Sequence, residues 1–151
     1  MWRYKVHLDS SAIVSDPELV QVFLPLSLSY PCDRDRTLFV QRDFPSGLYI
    51  LSSGSATLKR HGAGGPFEIT VQTTAPSLIG LRPLLQNTRY AYSLVVHKGS
   101  TLGFVHAADF EQMIEADRFL AHRAAEALAE SSRFSENALF DLLDLPTENA
   151  A

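Results

Sequence analysis

Glycine and arginine residues between positions 80 and 91 are the part of this sequence best suited to chemistry, namely the binding of an anion. Gly80 follows a strand-like run at 77–79 and precedes LRPLL, which is typical of a short helical turn that opens at a glycine. Backbone N–H groups at such a turn, and the guanidinium groups of Arg82 and Arg89, can donate hydrogen bonds to an anion. We therefore expect a small anion-binding pocket beside Gly80.

The cysteine and the histidines show no pattern of a metal or catalytic site. Cys32 is the single cysteine, which excludes an intramolecular disulfide, a four-cysteine iron–sulfur cluster and a cysteine-rich zinc site built by this chain alone. The five histidines include no closely spaced pair on one predicted strand beside a glutamate, as a cupin-like metalloenzyme requires. We predict a non-catalytic protein with no metal or other cofactor; a cupin-like metalloenzyme is the less favoured alternative.

The composition is that of a globular protein with a small negative charge. The chain has 151 residues, 46% of them hydrophobic, which is enough for one domain with a buried core. Its formal net charge of −4 does not favour DNA or RNA binding. The start of the chain, MWRYKVH, is interrupted by charge, and no apolar run approaches membrane-spanning length. We expect a cytoplasmic protein that binds neither a membrane nor DNA directly.

Turn residues divide the first two thirds of the chain into a short helix followed by strands. The run SDPE at 15–18 supplies capping side chains and a first-turn proline, which predicts a helix over Pro17–Phe23 that Pro25 ends. Gly62, Gly64 and Gly65 are interpreted as a hairpin tip, since no lysine and no helix of a phosphate loop follow them. Strands are predicted at 26–30, 37–40, 48–51, 55–58, 68–71, 92–96 and 101–105.

The pattern turns helical after the last predicted strand. Residues 107–114 place Phe110, Met113 and Ile114 on one face of a short helix, and Asp117 opens a long, alanine-rich helix. One stripe of small residues on the long helix would let a partner helix approach closely. The stripe consists of Leu120, Ala124, Ala127, Ser131, Phe134 and Ala138. We predict that it is a homodimer seam; packing of the helix on its own β-roll is the alternative.

The elements together predict a mainly β fold with α. It is a jelly-roll-like β-roll flanked by a short N-terminal helix and a long C-terminal helix. The predicted organisation is an N-terminal segment at 1–25, the β-roll at 26–106 and C-terminal helices at 107–151, with the dimerisation helix at 117–145.

The order of these elements resembles the cyclic nucleotide-binding domain, and in particular the sensory half of the Crp/Fnr superfamily of bacterial transcription regulators. Residues 37–43 (TLFVQRD) are similar to the family's x-L-F-x-x-G-D turn, and 47–55 (GLYILSSGS) to its Y-x-x-x-x-G hairpin. Residues 102–105 and 108–110 are similar to its last strand and the following helix. The resemblance covers about residues 20 to 140. In the full-length family a helix-turn-helix domain follows the long helix; this chain stops at Ala151.

The segment after Gly80 corresponds to the family's phosphate-binding cassette, G-E-x-A-L followed by R-x-A. In the family, backbone amides and the arginine bind the cyclic phosphate, and the glutamate accepts from the ribose 2′-hydroxyl. Here Leu81 replaces the glutamate, and Pro83 brings no N–H. Tyr90 stands at the arginine position by gapless count, whereas a one-residue deletion would bring Arg89 into that position. Carried over position by position, the resemblance implies a degenerate cassette made of Gly80, Leu81, Arg82, Leu84, Arg89, Tyr90 and Ala91.

These departures predict a regulatory domain that does not bind cAMP in the usual way. We expect a homodimer whose pocket senses another small anionic effector and transmits its occupancy to the long helix. The alternative is a ligand-free dimerisation or interaction module, for example one that pairs with full-length regulators.

Overall fold

The apolar runs in the middle of the chain form two antiparallel sheets, and the predicted fold class, a mainly β roll with flanking helices, is confirmed. The structure, a computed structural model, describes residues 13–62, 65–69 and 76–130. Its strands are β1 (Ile13–Val14), β2 (Leu28–Pro31), β3 (Arg36–Phe39), β4 (Gly47–Ser53), β5 (Ala56–Gly62), β6 (Gly65–Ile69), β7 (Ser77–Ile79), β8 (Ser93–Val96) and β9 (Thr101–His106). One sheet has the order β1-β7-β4-β9-β2 and the other β3-β8-β5-β6.

The first helix, α1, spans Pro17–Phe23 as predicted. Asp16 caps it, because its Oδ1 accepts hydrogen bonds from the backbone N–H groups of Glu18 at 3.0 Å and Leu19 at 3.3 Å. A turn of 3-10 helix at Leu24–Leu26 follows, so the strand predicted from residue 26 begins at Leu28 instead. The Ser27 hydroxyl, which donates to the Leu24 carbonyl at 2.7 Å, closes this turn.

Three further helices are described, one between β7 and β8 and two after β9. They are α2 (Leu81–Gln86), α3 (Ala107–Ala116) and α4, which is described over 118–130. Asp117 caps α4 as predicted, with its Oδ1 accepting from the N–H groups of Phe119 and Leu120 at 3.0 and 3.1 Å. Within the described ranges, no helix combines the length and the apolar character needed to cross a bilayer.

The five-stranded sheet is buried on both faces along β4, whereas its edge strand β2 is largely exposed. Along β4, Leu48 and Ile50 join a cluster that contains residues of the helices; we call it the helix-side core. Tyr49 and Leu51 point the other way, into a cluster shared with the four-stranded sheet, the roll interior. This alternation follows from the two-residue period of a strand. The structure therefore has three layers: helices, five-stranded sheet and four-stranded sheet.

The stripe of small residues predicted as a homodimer seam is the inner side of α4, and its described members pack on this chain's own sheet. For these members the prediction of a homodimer seam is therefore corrected. Leu120, Ala124 and Ala127 are 7%, 0% and 4% exposed and belong to the helix-side core. The small side chains let α4 approach the apolar face of the sheet closely. Packing of the helix on its own β-roll was the alternative in the sequence analysis. Ser131, Phe134 and Ala138 lie outside the described residues, as does the predicted dimerisation helix beyond residue 130.

An ion pair also holds α4 against the start of α1. Nη2 of Arg123 lies 2.9 Å from Oδ2 of Asp16, and its Nε lies 3.3 Å from Oε2 of Glu18. The Asp16 carboxylate is almost fully buried, whereas Glu18 is exposed. Asp16 therefore serves both as the cap of α1 and as an anchor for α4.

We predict that Ala124→Leu destabilises the protein by about 1–3 kcal/mol, because the larger side chain overpacks a filled core. Ala125→Leu on the exposed side of the same helix is the matched control and should change stability by less than about 0.5 kcal/mol. Urea unfolding measures both. Equal, small effects of the two substitutions would show that α4 is not docked on the sheet.

Candidate functional site

The glycine-led turn forms where the sequence predicted it, at the end of β7. Gly80 has φ +88°, in the left-handed region that favours glycine, and it caps α2 at Leu81. A Cβ at this position would also lie 3.3 Å from Cε1 of Tyr90. The helix ends at Gln86 and is capped by Asn87, which has φ +53°; the N–H of Thr88 donates to the Pro83 carbonyl at 3.0 Å. The result is a single short helix with its start beside Tyr90.

A small cavity of about 60 Å³ lies next to this turn. Its walls come from three parts of the chain: the roll interior, α2 with its start, and the loop before β8. The lining residues are Phe39, Leu58, Gly80, Arg82, Pro83, Thr88, Arg89, Tyr90, Ala91 and Tyr92. Five of the seven predicted site residues are thus brought together: Gly80, Arg82, Arg89, Tyr90 and Ala91. The other two, Leu81 and Leu84, do not line the cavity.

Leu81 and Leu84 point away from the cavity, into the helix-side core. Leu81 is 0% exposed and belongs to the cluster that contains Phe110 of α3 and Leu120 of α4. Leu84 is partly buried against the same cluster. The apolar residue at the first position of α2 therefore anchors the helix, where a carboxylate would have offered a hydrogen-bond acceptor.

Tyr90 is the most buried polar side chain in the cavity wall. It is 4% exposed, and its ring stacks on Phe39 with centroids 3.6 Å apart and planes 6° apart. Its backbone is pinned to the preceding turn, since its N–H donates to the Asp43 carbonyl and its carbonyl accepts from the Arg42 N–H, both at 2.9 Å. Its hydroxyl has no hydrogen-bond partner within the described part of the chain. Burial, followed by the nearby Tyr49 and Asp43, raises the pKa of Tyr90 above its ordinary value, so the hydroxyl stays protonated.

The two predicted arginines differ in how they are engaged. The exposed Arg89 donates through Nη1 to the Arg42 carbonyl at 3.1 Å, and its guanidinium carbon lies 4.3 Å from the centroid of Phe44. Arg82 is half-buried, and its Nε is enclosed without a hydrogen-bond partner among the described residues. The cavity lining thus carries two guanidinium groups and no carboxylate, an arrangement that attracts anions.

A group reminiscent of a catalytic triad lies elsewhere on the roll, and its geometry does not suit catalysis. Thr57 Oγ1 and His97 Nε2 are 2.8 Å apart, but Nδ1 of His97 lies 3.8 Å from Oδ2 of Asp35, too far for a hydrogen bond. Thr57 is also buried. Within the described ranges no group of three or more histidine, cysteine, aspartate or glutamate side chains is placed to hold a metal ion.

Sequence reasoning missed Phe39, Leu58 and Tyr92 as parts of the cavity wall. Phe39 was assigned only to a strand, and it reaches the site because β3 pairs with β8, where it lies opposite Leu94. Such pairing between distant segments leaves no local signal in the sequence. The predicted turn motif at 37–43, which contains Phe39, was the one sequence signal that linked this residue to the family's binding domain.

A comparison with family models identifies one family. A family model described as the cyclic nucleotide-binding domain matches residues 31–117, more than half of the chain. The catabolite activator protein of Thermus thermophilus is similar in structure: 29% identity, TM-score 0.65, 85% of this chain and 60% of that chain covered. A search of curated proteins found no match.

Two less similar structures share the fold. A transcriptional regulator from Thermotoga maritima has 18% identity and a TM-score of 0.63, with 82% of this chain and 96% of that chain covered. A c-di-GMP responsive global regulator from Xanthomonas campestris has 18% identity and a TM-score of 0.61, with 82% and 60% covered. This chain thus spans 60% of the length of the Thermus and Xanthomonas proteins.

We predict that Leu81→Glu destabilises the protein by about 3 kcal/mol or more and does not create a ligand acceptor, because the new carboxylate would be buried among apolar side chains. Leu81→Met, which nearly conserves volume, is the control and should cost less than about 1.5 kcal/mol. Chemical denaturation of the two variants checks this. Native-like stability of Leu81→Glu would mean that residue 81 can turn to the cavity.

Proposed function

Since the chain belongs to the cyclic nucleotide-binding domain family, we propose that it is a non-catalytic regulatory domain that senses a small anionic effector in the cavity beside Gly80. Its relatives in structure include regulators of the Crp/Fnr type. In this function the cavity binds the effector, and the helices change their packing in response.

The pair of unpartnered polar atoms in the cavity wall carries this proposal. The Nε of Arg82 and the hydroxyl of Tyr90 are both buried without hydrogen bonds to described residues. Buried polar groups are normally paired, and leaving one unpaired costs about 1–3 kcal/mol. A bound acceptor group would remove this cost, and the guanidinium groups of Arg82 and Arg89 favour an acceptor with negative charge.

Four features argue against cAMP as the effector in the family's usual manner. The anchoring role of Leu81 leaves no acidic acceptor for a ribose hydroxyl, and Pro83 has no N–H to donate. By gapless count, Tyr90 stands where a family arginine would pair with the cyclic phosphate. The cavity of about 60 Å³ is also far below the roughly 300–1,000 Å³ of typical small-molecule pockets.

The position of α2 offers a route from the cavity to the helices. Arg82 lines the cavity, and the preceding Leu81 packs in the same core as Phe110 and Leu120. A ligand that shifts α2 would therefore change the packing of α3 and α4. The response would be a population shift, limited by the effector's differential affinity for the two arrangements.

We also propose that the chain forms a homodimer through the outer side of α4, now that the inner stripe is used within the chain. Phe119 on that side is 87% exposed. A second copy that covers it would bury a large apolar side chain. If the cavity has no effector, this dimer alone would be the function: a dimerisation or interaction module.

Titration with small anions and with nucleotides tests the sensor. An effector present at about a hundredfold above its dissociation constant stabilises the native state by about 2.7 kcal/mol. We expect this from at least one member of a panel of inorganic phosphate, acetate and butyrate, and not from cAMP, cGMP or c-di-GMP. Thermal and urea unfolding provide the readout.

Two variants test whether stabilisation by a ligand arises from binding in the cavity. Arg82→Met, which keeps the apolar stem and removes the guanidinium, should abolish it, whereas Arg118→Met on the exposed part of α4 should not. Full stabilisation by cAMP would contradict the degenerate cassette. Stabilisation by no ligand would contradict the sensor and leave the dimerisation module.

The dimer is tested by light scattering over a range of protein concentrations. The wild-type chain should have the mass of a dimer, and Phe119→Ser should weaken the dimer tenfold or more, since about 1.5–3 kcal/mol of apolar burial is lost. Ala125→Ser is the control from the same helix. A monomeric wild-type chain at high concentration would refute the dimer.

A further inference from the structure

The buried hydroxyl of Tyr90 is the most specific chemical feature of the cavity. It sits at the inner wall beside Gly80, where the closest contacts of an added Cβ would be Cε1 and the hydroxyl oxygen of Tyr90, at 3.3 and 3.7 Å. The ring is held by its stack on Phe39, not by a hydrogen bond within the described residues. A neutral phenol that remains protonated is a hydrogen-bond donor, so it selects for ligands that carry an acceptor.

The walls around this hydroxyl are largely apolar. Phe39, Leu58 and Pro83 provide hydrocarbon surface, and Leu58 is 0% exposed. Positive charge comes from one side, where Arg82 lines the cavity, and the Nε of this side chain is enclosed without a hydrogen-bond partner among the described residues. A ligand that satisfies all of these groups has an anionic acceptor at one end and a short apolar body at the other.

On the basis of the proposed function, we propose that the effector is a compact carboxylic acid with a short hydrocarbon body, and that Tyr90 is the residue that selects it. The carboxylate accepts hydrogen bonds from the Tyr90 hydroxyl and from Nε of Arg82. The hydrocarbon lies against Phe39 and Leu58. Inorganic phosphate has no apolar part to use these walls, and a nucleotide would extend far beyond them.

The contact requires a small motion of the Tyr90 side chain. Its hydroxyl and the Arg82 Nε are closed off from solvent in this structure. The two hydrogen bonds to residues 42 and 43 fix the Tyr90 backbone, so the ring can tilt without movement of the loop. Gly80, which has no side chain, leaves the space beside the ring edge open to such a tilt.

Butyrate, acetate and inorganic phosphate are the probes, with binding measured by isothermal titration calorimetry on the full chain. We expect butyrate to bind more tightly than acetate by roughly fourfold for each additional buried methylene. Tyr90→Phe keeps the ring and its stack and should weaken butyrate binding tenfold or more. Tyr49→Phe, which removes a buried hydroxyl that does not line the cavity, should leave butyrate binding unchanged.

The unfolding free energy of Tyr90→Phe shows whether weaker binding by this variant comes from the lost hydroxyl or from misfolding. Tyr90→Phe removes a hydroxyl without a partner, so its unfolding free energy should equal or exceed that of the wild type. A clear loss of stability would show that the hydroxyl has a partner in the protein and would overturn the inference.

The outcomes separate this inference from the proposed function. Butyrate binding that is equal in Tyr90→Phe and wild type, or phosphate that binds more tightly than butyrate, overturns the inference and leaves an anion sensor standing. Failure of all the anions to bind overturns both.

Discussion

Burial of both faces of the five-stranded sheet along β4 is the constraint on which the other features depend. Side chains of β4 alternate between the two cores, with Leu48 and Ile50 on one side and Tyr49 and Leu51 on the other, and each is at most 9% exposed. Neither face can be left to water without the loss of a large part of the apolar burial. The helices must therefore cover one face and the four-stranded sheet the other, and the cavity forms at the edge where these layers meet.

The short helix α2 connects the two cores because successive residues on it have different surroundings. Leu81 is enclosed in the helix-side core, and Arg82 lines the cavity. The helix is thus held by packing rather than by polar contacts at its first position. Leu81 thus contributes packing at the first position of α2, where a carboxylate would offer a hydrogen-bond acceptor.

The cavity itself departs from the usual pairing of buried polar groups. Tyr90 and Arg82 each contribute an enclosed polar atom without a described partner, although the Tyr90 ring itself is stacked on Phe39. Departures of this kind in an otherwise consistent fold are expected at functional positions, where stability is not the property being optimised. The stack of Tyr90 on Phe39 gives the site a defined shape even without a ligand.

The sequence by itself determined the elements whose signals are local: the capped start of α1, the glycine-led turn at Gly80, the cap at Asp117 and the order of most strands. It gave no sign of the two-residue strand β1, whose pairing with β7 joins distant segments. The resemblance of the sequence to the family's phosphate-binding cassette predicted that one site contains Gly80, Arg82, Arg89, Tyr90 and Ala91. Tertiary structure alone decided that Leu81 faces the helices, that Phe39 covers Tyr90, and that Ala124 packs on the sheet. Caps and turns depend on a few neighbouring residues, whereas the direction in which an apolar side chain is buried depends on which other surfaces the folded chain brings to it.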